Sequence, residues 1–284
     1  MERKALIDML NRDLTDEHAA VVRYLIHSYQ EGEDTVVGAS LLSRCREEMW
    51  HMHWLGMIIG KLEGEPDFSI GPYPFDPSSR ATMLKSYIQY EEKLIPHYNA
   101  EAEKVDDPHI RRVLKREAWE SAIHARRFQR LIDKLSPEDA SGLPEGGHEL
   151  PPSFVEKLEK ELLNKYTEML QHIRSSWVFQ NEGKEGWRIM DQAMEKMKHL
   201  AIFAEGLAED GAKLNFKPGP IDISRSIGDA LQKAVDDLQS GVERYCAFQK
   251  YDEFRKHSGI ALKLDLAVQQ IEYQKEEITD WIKK

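Results

Sequence analysis

Residues 48–51 read Glu48-Met49-Trp50-His51. A carboxylate and an imidazole three residues apart share one face of a helix and can hold a single cation between them. Three more positions carry the same chemistry. Glu17 sits between Leu10/Leu14 and Val21, Glu91 between Leu84 and Leu94, and His124 between Ala118 and Phe128. Each falls on the apolar stripe of its own helical segment, where an ionised group is costly unless it is paired or bound to metal. A lone inward Glu is ordinarily paired with a base, and a lone inward His is ordinarily a satisfied core residue. The four segments together are informative, because they bring such groups to one level of one core. Carboxylate and imidazole suit iron or manganese, and zinc is also compatible. Tyr24 and Tyr87 lie close by on the same stripes, and Glu120 and Glu117 precede His124 by one and two turns.

Helical periodicity supplies the elements that must position these groups. Apolar spacing predicts helices over roughly 2–30, 38–63, 80–104 and 108–135. Gln30-Glu31-Gly32-Glu33 breaks the first, Glu63-Gly64-Glu65-Pro66 ends the second, and Asp106-Asp107-Pro108 turns the third into the fourth. Between the second and third runs an irregular stretch with Pro66, Gly71, Pro72, Pro74 and Pro77. Two short loops and one long crossover define a four-helix arrangement with one non-adjacent connection.

These residues resemble the ferritin-like di-metal carboxylate proteins, especially bacterioferritin and rubrerythrin-type bundles, over about residues 5–135. Glu48-Met49-Trp50-His51, running on to Gly60-Lys61-Leu62-Glu63-Gly64-Glu65-Pro66, is similar to the second helix of bacterioferritin and its ending. Asp107-Pro108 followed by His124 is similar to the family's last loop and fourth-helix histidine. The resemblance implies metal ligation by Glu17, Glu48, His51, Glu91 and His124. It departs at Ser121, where the family carries a bridging Glu three residues before the histidine. Two outcomes follow: one ion held well and a second weakly, or Glu120, with Glu117 having less reach, swinging in as the substitute. Met49 falls where bacterioferritin has a haem-ligating methionine, but a packing role is the expectation and haem is not expected.

The expected fold is therefore all-α, with two tandem ferritin-like four-helix bundles, each with a long crossover between its second and third helices. Residues 1–135 form the first, 136–152 a linker rich in Pro and Gly, and 153–284 the second. The second half repeats the helix order, with a crossover near 211–223, but loses the site. Glu168 is matched to Glu17, and His199 to His51 with Lys196 three residues before it. Leu238-Gln239 is placed opposite Glu91, and Gln269 and Glu272 in the places of Ser121 and His124. Trp177 and Trp187 are expected in its core or lining a remodelled pocket.

Net charge −11 argues against nucleic acid or anionic membrane as a partner. Two distant cysteines exclude a disulfide framework and a rubredoxin-type centre. With no spanning apolar run and no leader pattern, a cytoplasmic location is expected, with bundle faces available for a homo-oligomer. Three functions stay open: an iron-dependent oxidoreductase acting with dioxygen or peroxide, a non-catalytic iron-binding protein, and a metal-free structural or interaction bundle.

Overall fold

A computed structural model of the chain describes residues 1–143, 150–182, 185–256 and 258–283. Among these residues every regular element is a helix. The chain divides into two compact units, Met1–Glu145 and Gly146–Lys284. Residues 144–149 of the expected linker lie outside the described residues, as do Gly183 and Lys184, His257 and the terminal Lys284.

The first unit contains α1 (Arg3–Glu31), α2 (Val36–Lys61), α3 (Arg80–Ala102), α4 (Pro108–Ile132) and the short α5 (Pro137–Ser141). α1 packs along α2 and α3 along α4, so that two hairpins close on one core. The ends are set locally. Thr35 accepts a hydrogen bond from Gly38 N, Ser79 and Thr82 form a reciprocal capping box, and Asp107 caps α4 ahead of Pro108 at its first turn. The α1–α2 turn is unusually close. Gly32 has φ +83°, and a Cβ on Gly38 would lie 1.9 Å from Gly32 O. Only glycine fits at Gly38, and Ser28 Oγ donates to its carbonyl at 2.8 Å.

The core is apolar at its ends and polar in its middle. Leu10, Leu14, Leu41, Leu55, Leu84, Leu114 and Phe128 are fully buried, and so are Glu48, His51, Glu91, Glu117 and His124 among them. Residues 136–142 depart from the expected linker. They fold as a helical turn whose Gly142 O accepts from Arg80 N, which seats this segment at the start of α3.

The second unit contains α6 (Pro152–Val178), α7 (Glu185–Glu209), α8 (Ile227–Phe248), α9 (Asp252–Lys256) and α10 (Ser258–Ile282). α6 packs along α7 and α8 along α10. Details of the first unit recur here. A Cβ on Gly186 would lie 2.9 Å from the preceding turn at Gln180 and 3.4 Å from Ser176 O, as one on Gly38 meets Gly32 and Ser28 O. In the crossovers, Asp67 Oδ1 accepts from Ser69 N and Asn215 Oδ1 accepts from Lys217 N, while Phe68 and Phe216 are both buried. His51 Nε2 meets Glu120, and His199 Nε2 meets Gln270 Oε1 at 3.0 Å.

These shared contacts fix which positions correspond. Counting back from Ser176 as from Ser28, Lys165 stands where Glu17 does, and Glu168 is one turn further along. The earlier match of Glu168 to Glu17 is thereby corrected. Lys196 and His199 stand at Glu48 and His51. On α8 the buried stripe puts Leu238 at Glu91, Arg244 at His97 and Tyr245 at Tyr98. On α10 it puts Ile271 and Gln274, rather than Gln269 and Glu272, at Ser121 and His124. Trp177 is buried, whereas Trp187 is 76% exposed.

Candidate metal centre

Four helices deliver the inward groups of the first unit to one place. α2 contributes both Glu48 and His51, three residues apart, and so sets the centre of the cluster. His51 Nδ1 lies 2.7 Å from Glu48 Oε2 and 3.3 Å from Glu17 Oε2. His124 Nδ1 lies 2.7 Å from Glu48 Oε1 and 3.3 Å from Glu91 Oε1. The Glu48 carboxylate thus stands between two imidazoles, one oxygen toward each. The donor atoms form two groups, Glu17–Glu48–His51 and Glu48–Glu91–His124, each within 4.8 Å and sharing Glu48.

The outer nitrogen of each imidazole is held by a carboxylate. His51 Nε2 donates to Glu120 Oε2 at 2.7 Å, and His124 Nε2 donates to Glu47 Oε2 at 2.7 Å. The Nε2 contacts fix both rings with Nδ1 toward Glu48; in the metal-free core Nδ1 carries a proton toward that carboxylate, and its loss would expose the lone pair that a histidine metal ligand needs. The rings lie nearly parallel, with centroids 6.0 Å apart. Tyr24 Oη donates to Glu91 Oε1 at 2.6 Å, and Tyr98 Oη donates to Glu17 Oε1.

Several of these atoms are left over. Glu48 Oε1, His124 Nδ1 and Glu91 Oε2 are buried without a hydrogen bond, although the first two approach to 2.7 Å. A close approach without hydrogen-bond alignment, in a donor set of carboxylates and imidazoles, fits a cation better than a self-satisfied polar core. The metal-free electrostatics agree. Burial pushes Glu17 up to about 8, against the pull of His51. Burial and the Glu48 charge push Glu91 up. Burial opposes charge on His124, but Glu48 and Glu91 outweigh it and raise it to about 12. Protons occupy the core where positive charge is wanted, and metal entry would displace them.

Of the residues singled out from sequence, Glu17, Glu48, His51, Glu91 and His124 come together. Glu120 does not join them. It stands behind His51, tied also to Arg116 Nε at 2.9 Å, and Ser121 Oγ is buried without a hydrogen-bond partner. Glu117 is wholly buried with both carboxylate oxygens unpartnered. Glu47 escaped sequence reasoning because it is partly exposed and adjoins a stronger candidate. Its signal was its spacing from Arg44 and its position one residue before the Glu-x-x-His pair.

In the second unit the same level is filled by the protein's own cations. Lys165 Nζ lies 2.6 Å from Glu168 Oε2, Lys196 Nζ lies 3.1 Å from the same oxygen, and Arg244 Nη2 lies 2.9 Å from Glu168 Oε1. Both lysines are completely buried. Burial lowers Lys196 to about 8, with Lys165 adding repulsion. No family model matches the chain, and no curated protein is significantly similar to it.

Proposed function

We propose that the first unit is a ferritin-like carboxylate bundle that binds two divalent transition-metal ions, iron foremost, and that it acts as an iron-dependent oxidoreductase. The observation that carries this reading is the Glu48 carboxylate set between two Nδ1 atoms whose opposite nitrogens are each fixed by a carboxylate. Glu17, Glu48 and His51 would hold one ion, and Glu48, Glu91 and His124 the other. Bound iron would supply electron transfer to dioxygen or peroxide.

The chain's own residues set the terms. Three carboxylates face two dications, so one positive charge is uncompensated and the second ion is held more weakly than the first. Glu120 and Glu47 keep the imidazoles in one tautomer. Tyr24 holds Glu91 by its Oε1 and leaves Oε2 free to turn. Tyr73 Oη donates to Tyr24 Oη at 3.0 Å, so a phenol pair backs the site on the crossover side. Among the described residues the second unit has no matching ligand set, which points to one such two-ion centre per chain.

Anaerobic Fe(II) titration followed by elemental analysis tests the reading. The expected result is up to two ions per chain that depend on Glu48, both lost in Glu48→Ala and one of them lost in either Glu17→Ala or Glu91→Ala. Equal metal content in Glu48→Ala and the parent protein would end it. Metal uptake without turnover on dioxygen or peroxide would favour a non-catalytic iron-binding role, for which the same ligands serve.

A further inference from the structure

One turn before Glu17 on α1, and beyond Glu91 on α3, lies a second polar group that the inner centre does not use. His97 Nε2 is 2.9 Å from Asp13 Oδ1 and 3.5 Å from Glu101 Oε2, and one donor atom from each of the three lies within 4.8 Å of the others. Asp13 is completely buried and Glu101 nearly so, yet Asp13 Oδ2 and Glu101 Oε2 have no hydrogen-bond donor. His97 is 38% exposed and opens the group to solvent. Burial and the neighbouring Asp13 push Glu101 up to about 8, so without an ion the second acid keeps a proton in this poorly solvated place, which a cation sharing the three donor atoms would displace.

The second unit shows what this position requires. Glu161 stands where Asp13 does, and Arg244 where His97 does. Arg244 Nε lies 2.9 Å from Glu161 Oε1, so a guanidinium completes that site from within the chain. Phe248 replaces Glu101, and the surplus acid disappears with the need for it. In the first unit the arginine is exchanged for histidine and an acid is added. Either a proton on Glu101 or a bound ion makes up the difference.

We propose that Asp13, His97 and Glu101 bind a divalent transition-metal ion near the surface of the first unit, and that this site passes ions inward to the Glu17–Glu48–His51 group. Glu117 is the relay. It is buried and unpartnered, and it shares the electrostatic surroundings of Asp13, Glu17 and Glu48. The binding half of the proposal stands on its own residues, and only the inward transfer rests on the proposed inner centre.

Co(II) is the probe, added anaerobically to the full chain and followed by calorimetry and visible absorption, with stopped-flow mixing for rates. The expected result is one ion beyond those lost in Glu48→Ala, weakened at least tenfold in His97→Ala and in Glu101→Gln. The inner ions should keep their affinity in His97→Ala but load several-fold more slowly, and Glu117→Gln should slow loading likewise. His97 is a partly exposed side chain, so its variant is expected to fold even if Asp13→Asn does not. An ion lost in His97→Ala but none lost in Glu48→Ala would keep the outer site and remove the inner one. Identical titrations of the parent and His97→Ala would overturn the outer site, and unchanged loading rates would overturn the transfer.

Discussion

Two charge reversals separate the cores of the two halves. Glu48 in the first unit is Lys196 in the second, and Glu17 is Lys165. Each change turns an acid that needs a cation into the cation itself. Glu168 then becomes the residue on which the second core depends, since Lys165, Lys196 and Arg244 all converge on its carboxylate. Replacing it leaves two buried ammonium groups without a counter-charge. Glu168→Gln should therefore destabilise the second unit by about 3–5 kcal/mol, read by denaturant titration of the full chain. A loss near zero would mean that the lysines are solvated or neutral. The convergence of Glu17, Glu48, His51, Glu91 and His124 was legible in sequence because each interrupts an apolar stripe at helical spacing. Asp13, His97 and Glu101 were not, although Asp13/Glu17 and His97/Glu101 both have four-residue spacing. Half-exposed His97 at the edge of a helix gives no periodic signal of burial.

At the scale of the helix, the polar level is set by the α1–α2 turn. Gly38 packs directly on Gly32 O, and the position of Glu48 and His51 along α2 is counted from that contact. Gly38→Ala should cost about 3 kcal/mol or more and should also weaken metal binding, because the turn must open and shift α2 along α1. Denaturation and Co(II) titration of the same variant check both effects, and loss of stability with unchanged affinity would separate turn from site. Helix positions and the two long crossovers were readable from periodicity, Pro and Gly. The register of the second half was not. Sequence pairing favoured Glu168 against Glu17 because both are acids, whereas backbone contacts at Gly38 and Gly186 align Lys165 instead. The short α5 was hidden in a stretch whose composition reads as linker, since Ser136 caps it and Arg80 anchors it through contacts remote in sequence.

For the whole molecule, two cores of different chemistry should respond to different conditions. Among the described residues no helix is long and apolar enough to cross a membrane. Burial lowers His172 to about 4, with Lys196 adding to the effect, and burial lowers His199 to about 4 as well. Both lie below the ordinary histidine value near 6.5, so the unfolded chain binds more protons than the native one between about pH 4 and 6.5. The second unit should be fully stable in this respect above about pH 6.5 and should lose stability as pH falls toward 4. Each histidine contributes up to roughly 3 kcal/mol. Scanning calorimetry at pH 7 and pH 4.5 should show one transition moving down with acid, less so in His172→Gln. At pH 7, added Co(II) should raise the other transition alone, by about 3 kcal/mol at a hundredfold excess over Kd. Movement of both transitions with metal would place ions in both units.

The lysines at Lys165 and Lys196 also bear on the order in which the chain matures. A core that carries its own counter-charges can close as soon as its helices are made. On the proposed function, a core of acids and imidazoles closes around ions taken from its surroundings and, without them, around protons. The half of the chain made last is thus equipped to be finished first, and metal scarcity would be registered in the other half alone.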